Sequence, residues 1–173
     1  MLLNDKEIKK LAVEKKMLEP FVDHKVQGKL SYGLDPFGYT IRLSNEFKYF
    51  KEIEMFDPLL DNEKFLADVE GDVFLLSPGS FVLGRSVEYF RMPPDVTGIA
   101  FTKSSYARLG IFANITTIDA GWEGFLTIEV ANLGSNPVKL YANKGIAQIH
   151  FFKGKVPENS YSGKYQNLDK IKV

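Results

Sequence analysis

Cysteine is absent from the chain, and histidine occurs only as His24 and His150. No disulfide framework and no thiol nucleophile is possible. A zinc site built from His and Cys ligands cannot be assembled here either. Both histidines, far apart in sequence, read as structural. Net charge is missing too: 22 Lys and Arg stand against 22 Asp and Glu, so no global basic field points to nucleic acid or to an anionic membrane. A phosphorylated ligand would have to be held by a local cluster. No apolar run approaches the roughly 18 residues of a membrane span. The first seven residues lack the charged-then-apolar order of a signal peptide. These absences predict a soluble, cytoplasmic protein that binds neither nucleic acid nor membrane.

What is present suits one compact domain over 1–173, since 45% of 173 residues are hydrophobic. Asn4 with Glu7 resembles a capping box, and Ile8, Leu11 and Ala12 follow at helical spacing, which predicts a short amphipathic helix ending near Lys16. Residues 17–21, with Pro20, read as extended. Tyr39, Ile41 and Leu43 alternate with Thr40 and Arg42 as a strand should. The stretch 47–67 is charged with scattered aromatics and reads as a surface excursion without chemistry. Segments 73–76, 81–90, 96–101, 138–141 and 146–152 read as strands between Gly, Pro and Asn turns. Short strands at near-regular intervals predict an all-β barrel or jelly roll.

The stretch 103–132 is of a different kind. Ser104 or Ser105 is a natural N-cap and Gly110 a natural helix stop, framing one short turn whose free N–H groups suit an anion. Arg108, four residues after Ser104, falls on the same side of that turn. After Gly124 the period changes to two, with Leu126, Ile128 and Val130 on one face and Phe125, Thr127 and Glu129 on the other. A carboxylate thus points away from the apolar face in mid-strand.

The order Lys103-Ser-Ser-Tyr-Ala-Arg-Leu-Gly, Ile118-Asp-Ala-Gly-Trp-Glu-Gly, Thr127-Ile-Glu-Val-Ala-Asn resembles the dCTP deaminases of the trimeric dUTPase-like superfamily. Tyr32-Gly-Leu, Gly38-Tyr and Gly145-Ile-Ala-Gln-Ile extend the likeness from the N-terminal helix to about Lys155. The resemblance implies a distorted jelly-roll β-barrel assembling as a homotrimer with shared active sites. It implies zinc-independent deamination of dCTP to dUTP and ammonia, supplying dUTP for dTTP synthesis, with Mg2+ bound through the triphosphate and dTTP as a candidate inhibitor. Carried over residue by residue, Glu129 is the general base, with Ser104 and Arg108 beside it and the catalytic water. Lys103, Ser105 and Gln148 face the triphosphate, Asp119 the deoxyribose 3′-OH, and Tyr161 and Lys164 belong to a C-terminal tail or lid over 155–173.

Three positions depart from the resembled pattern: Thr40 where an Asp follows Gly-Tyr, Thr102 where a Gly precedes the basic residue, and Leu168 where a Gln follows the tail lysine. Alternative readings are a dUTPase, a bifunctional dCTP deaminase/dUTP diphosphatase, or a non-catalytic nucleotide-binding relative. Trp122, at a position where typical dUTPases have Tyr, and the absence of their glycine-rich closing tail favour deamination. The polar tail is expected to contribute little apolar surface to the core.

Overall fold

A computed structural model describes residues 1–173. The chain opens with helix α1 (Asp5–Lys15), where Asn4 and Glu7 form the expected reciprocal cap and Lys16 ends the helix in the left-handed region. Ile8 and Ala12 bury its apolar face. Strands β1 (Leu18–Glu19), β2 (Lys25–Val26), β3 (Tyr32–Asp35) and β4 (Gly38–Phe50) follow, then a 3₁₀ turn at Glu63–Phe65 and β5 (Leu66–Glu70), β6 (Val73–Leu76), β7 (Phe81–Arg91) and β8 (Val96–Thr102). The second half comprises helix α2 (Ser104–Ala107), β9 (Ile111–Asn114), β10 (Glu123–Asn132), β11 (Val138–Tyr141) and β12 (Gly145–Lys153).

One sheet runs β2-β3-β4-β7-β10-β9, with β5 on β4, β1 on β7, and β12 joining β4 to β8. Every named pair is antiparallel, and the curled sheet makes a distorted barrel of the jelly-roll type. Segments 73–76 and 81–90 do not pair with each other, since β6 pairs with β11 in a separate two-stranded sheet and β7 with β4 and β10. Strand β9 has no counterpart among the expected strands; four residues are too few to display a period. No helix is long and apolar enough to cross a membrane.

The barrel interior encloses one ion pair. Glu88 is fully buried, and its carboxylate accepts from Arg42 N at 2.9 Å and Arg42 Nε at 2.8 Å. Burial pushes the Glu88 carboxyl up, and Arg42 opposes that shift. Nearby, the register of β10 on β7 slips between Phe125 and Thr127, and Ser86 Oγ fills the gap by accepting from Leu126 N at 2.9 Å. The slip sets residues 86–88 of β7 against Leu126 alone, so it is β7 that bulges beside the mid-portion of β10.

Two expectations need correction. Residues 47–50 continue β4 and 66–70 form β5, so the excursion is confined to the stretch between them; Phe50, Leu60 and Asn62 from this region form part of a cavity wall. The tail is also not a loosely attached polar segment: Leu168 and Ile171 are buried, at 6% and 2% exposure, and Leu168 joins the main core. Two isolated apolar residues in a polar stretch have no periodicity by which to announce this.

Candidate active site

Glu129 extends from β10 into a cavity of about 540 Å³. Its floor is the mid-portion of β10, with Leu126 and Thr127, and one wall is the connection between β9 and β10, including Asp119 and Trp122. The tail supplies Tyr161, Lys164 and Leu168 opposite. Across the β9–β10 ladder Glu129 stands directly opposite Asn114, whose Nδ2 donates to Glu129 Oε2 at 2.5 Å. Oε1 accepts no hydrogen bond within the chain. Asn114 was not among the expected site residues; its pairing is a consequence of register, which the sequence of β9 alone does not reveal.

The tail is tied down by main-chain and side-chain bonds. Phe125 N donates to Leu168 O at 2.8 Å, Asn167 N to Glu123 O at 2.9 Å, and the buried Trp122 Nε1 to Tyr165 O at 2.7 Å. Gln166 accepts from Glu123 N and donates to Gly121 O. This close approach explains Gly124, at φ +149°: a Cβ there would lie 2.8 Å from Leu168 N and 2.9 Å from the Trp122 ring. Leu168, where the resembled tail has Gln, thus acts as an apolar anchor for the tail. Lys164 stands over the Tyr165 ring, whose hydroxyl holds the ammonium above its usual range.

Lys103, Ser104, Ser105, Arg108 and Gln148 do not line this cavity. They belong to a second corner, around α2 and β12. Lys103, rather than either serine, is the N-cap residue of α2, and no side chain caps the helix. The serine hydroxyl is diverted: Ser105 Oγ donates to Lys29 O at 3.0 Å. Lys103 Nζ donates to Ser31 Oγ at 2.9 Å, and its backbone N to Ile146 O. Ser31 approaches so closely that a Cβ on Gly145 would lie 2.1 Å from its carbonyl oxygen. Ser104 and Arg108 are exposed, and Gln148 lies on β12 between Thr40 of β4 and Phe101 of β8. The Thr102 hydroxyl donates to Ala113 O and accepts from Ala113 N, knitting the end of β8 to β9.

Thr40 has a partner of its own. Its hydroxyl donates to the buried Asp35 Oδ2 at 2.6 Å, and the other Asp35 oxygen pairs with Lys25. Lys103 is pushed below the usual lysine range by burial and by Lys25, while Asp35 acts in the opposite sense. His24 is at the surface beside Asp23, and His150 packs edge-on against Phe101. No three His, Cys, Asp or Glu side chains come together as a metal cage.

Comparison with known proteins gives this geometry a context. Residues 2–154 match a family model described as dCTP deaminase-like. A protein of Herpetosiphon aurantiacus named dCTP deaminase is 47% identical over 169 residues, covering 94% of this chain and 92% of the relative. One of Campylobacter fetus subsp. fetus with the same name is 45% identical over 98% of this chain and 95% of the relative. A crystal structure of 2′-deoxycytidine 5′-triphosphate deaminase from Agrobacterium tumefaciens shares the fold, with a TM-score of 0.70 and 24% identity over 88% of this chain. This chain spans 48% of that longer one.

Proposed function

The chain belongs to the dCTP deaminase-like family, and from that premise we propose that it hydrolyses dCTP to dUTP and ammonia with Glu129 as general base. The observation that carries the reading is the free Oε1 of Glu129 in a cavity that also gathers Asp119, Tyr161 and Lys164. Water attacks C4 of the cytosine ring and gives its proton to Glu129 Oε1. The same carboxyl then protonates the leaving amine, so one group serves both transfers. Asn114 holds Oε2 and leaves Oε1 as the proton acceptor. Asp119 receives the 3′-OH of the sugar, and the tail excludes water above it.

The second corner supplies what the cavity lacks. In our reading Lys103, Ser105 and Gln148 meet the triphosphate, and Ser104 and Arg108 reach the Glu129 of a neighbouring copy, so that a homotrimer completes each site. The exposure of Ser104 and Arg108 on α2, away from Glu129 of their own chain, supports this arrangement. Mg2+ is expected to arrive on the triphosphate, because the protein assembles no carboxylate cage for it. A reaction on a free nucleotide fits a cytoplasmic enzyme.

The test is incubation with dCTP and Mg2+ followed by product separation. dUTP with ammonia is the expected outcome, and dUMP with pyrophosphate indicates the bifunctional alternative. No turnover refutes the reading in favour of a non-catalytic binding protein. Mixing Glu129→Gln with Arg108→Ala subunits, each inactive alone, should restore part of the activity if sites are shared; no recovery would place each site within one chain.

A further inference from the structure

A small charged network beneath the β3–β4 hairpin has no part in the chemistry at Glu129. Asp35 is 4% exposed, accepts from the Thr40 hydroxyl across the hairpin and pairs with Lys25 on β2. The Lys25 side chain is about a third exposed, at 35%, while its partner is buried. Lys103 lies in the same electrostatic neighbourhood and is held by Ser31, at the start of β3. Lys25 alone is ion-paired with Asp35, and Lys103, tied to Ser31 just before the same strand, feels that carboxylate through space.

The arrangement is costly as a mere staple. Desolvating a carboxylate costs several kcal/mol, and an apolar pair commonly stabilises a hairpin at least as well as a buried ion pair. It makes sense where cations must converge without repelling each other. Burial and Lys25 both disfavour the charged form of Lys103, and Asp35 is the one anion acting against them. With Asp35 in place the corner keeps two ammonium groups and a net positive charge, which is what a polyphosphate selects.

We propose that Lys25 is a second phosphate-binding residue beside Lys103, and that Asp35, anchored by Thr40, is the positioning residue that holds the two lysines together. This rests on the reading that the α2 corner receives the triphosphate. It adds Lys25 to the contacts and gives Asp35 and Thr40 a joint role. The ligand class is a polyphosphate chain, whatever nucleoside it bears.

The probe is inorganic tripolyphosphate, titrated calorimetrically into the full-length wild type, Asp35→Asn, Lys25→Ala and the exchange variant Asp35→Thr/Thr40→Asp, with melting temperatures taken in parallel. Asp35→Asn and Lys25→Ala should each weaken binding by at least ~10-fold, as expected when one member of a charged pair is removed. The loss in dCTP turnover should be carried by KM rather than kcat. The exchange variant keeps a carboxylate and a hydroxyl facing each other across the same hairpin, and it should regain most of the affinity. Affinity unchanged in Lys25→Ala overturns the proposal, as does a folded exchange variant that binds no better than Asp35→Asn. Should Asp35→Asn fail to fold, Lys25→Ala decides the matter alone. Absence of dCTP turnover in the wild type would refute the deaminase reading and leave the tripolyphosphate result to judge this one.

Discussion

Around Glu129 the chain presents a neutral amide donor in a cavity where apolar side chains are interspersed with Asp119, Lys164 and Lys172, whereas around Lys103 the charged side chains Lys25, Asp35 and Lys103 gather beneath one hairpin. The first environment suits a group that must accept and return a proton, because the Glu129 carboxylate is held by a donor that cannot itself titrate. The second suits a charge that must stay fixed while a polyanion arrives. The difference is one of backbone as well as side chains. Glu129 and Asn114 face each other within a regular ladder, while Lys103 depends on a four-residue helix and an irregular approach by Ser31.

The largest effect should come from removing the base itself. Glu129→Gln is nearly isosteric, and the new amide cannot take a proton from water. Turnover should fall by at least ~10²-fold, with barrel and assembly unchanged by circular dichroism and gel filtration. Retention of most of the wild-type rate would remove Glu129 from the mechanism and, with it, the contrast between a chemical half and a charged half.

The tail lines the Glu129 cavity and touches none of Lys25, Asp35 or Lys103, so shortening it should separate the halves. Leu168→Ala leaves an apolar gap beside Gly124 and should cost about 2–4 kcal/mol of stability, read as a lowered denaturation midpoint. Truncation after Ser160 removes Leu168, Ile171 and the cap over Trp122 together, and should lower stability further while raising the KM for dCTP. Tripolyphosphate binding at the Lys103 corner should survive both changes once the protein is folded. Unchanged stability after truncation would contradict the anchoring seen here.

A smaller effect, confined to the chemical step, is expected from Asn114. Asn114→Ala removes the donor to Oε2 and should lower kcat about tenfold at nearly constant KM, the signature of an interaction made at the reacting centre. Asn114→Asp should do more damage, since two carboxylates would then face each other across the ladder. A rise in KM with kcat intact would assign Asn114 to binding instead.

The two halves were not equally legible from sequence. Glu129 stood out because Leu126, Ile128 and Val130 alternate around it, a period that forces its side chain to the other face, and all three are buried as that period requires. The helix α1 announced itself through Asn4 and Glu7 in the same way. Asn114, Asp35 and Leu168 gave no such notice. Each matters through a partner brought near by register or by a long return of the chain: Glu129 across a ladder, Thr40 across a hairpin, Gly124 some forty residues earlier. Local periodicity has no access to those pairings. Even Ser105, a good cap by composition, loses that role because Lys29 offers its hydroxyl a carbonyl and Lys103 occupies the cap position.

The smallest effect, and the most specific to the charged half, concerns pH. Burial and Lys25 hold Lys103 below the ordinary lysine range, so its folded value lies under its unfolded one. Between those two values the unfolded chain binds more protons at this site, and the contribution of Lys103 to stability therefore rises with pH through that window. Binding runs the other way, because the neutral amine that folding favours attracts a triphosphate less. The KM for dCTP should accordingly begin to climb on the alkaline side before an ordinary lysine would release its proton, with kcat following a separate course. Lys103→Arg, which stays charged throughout, should flatten the climb by a few-fold at the alkaline end even if its different geometry raises KM at neutral pH. The same substitution should leave the pH dependence of kcat untouched, because that profile belongs to the Glu129 half. An alkaline rise in KM that persists in Lys103→Arg would show that another group governs it, and the division of labour between the two corners would have to be redrawn.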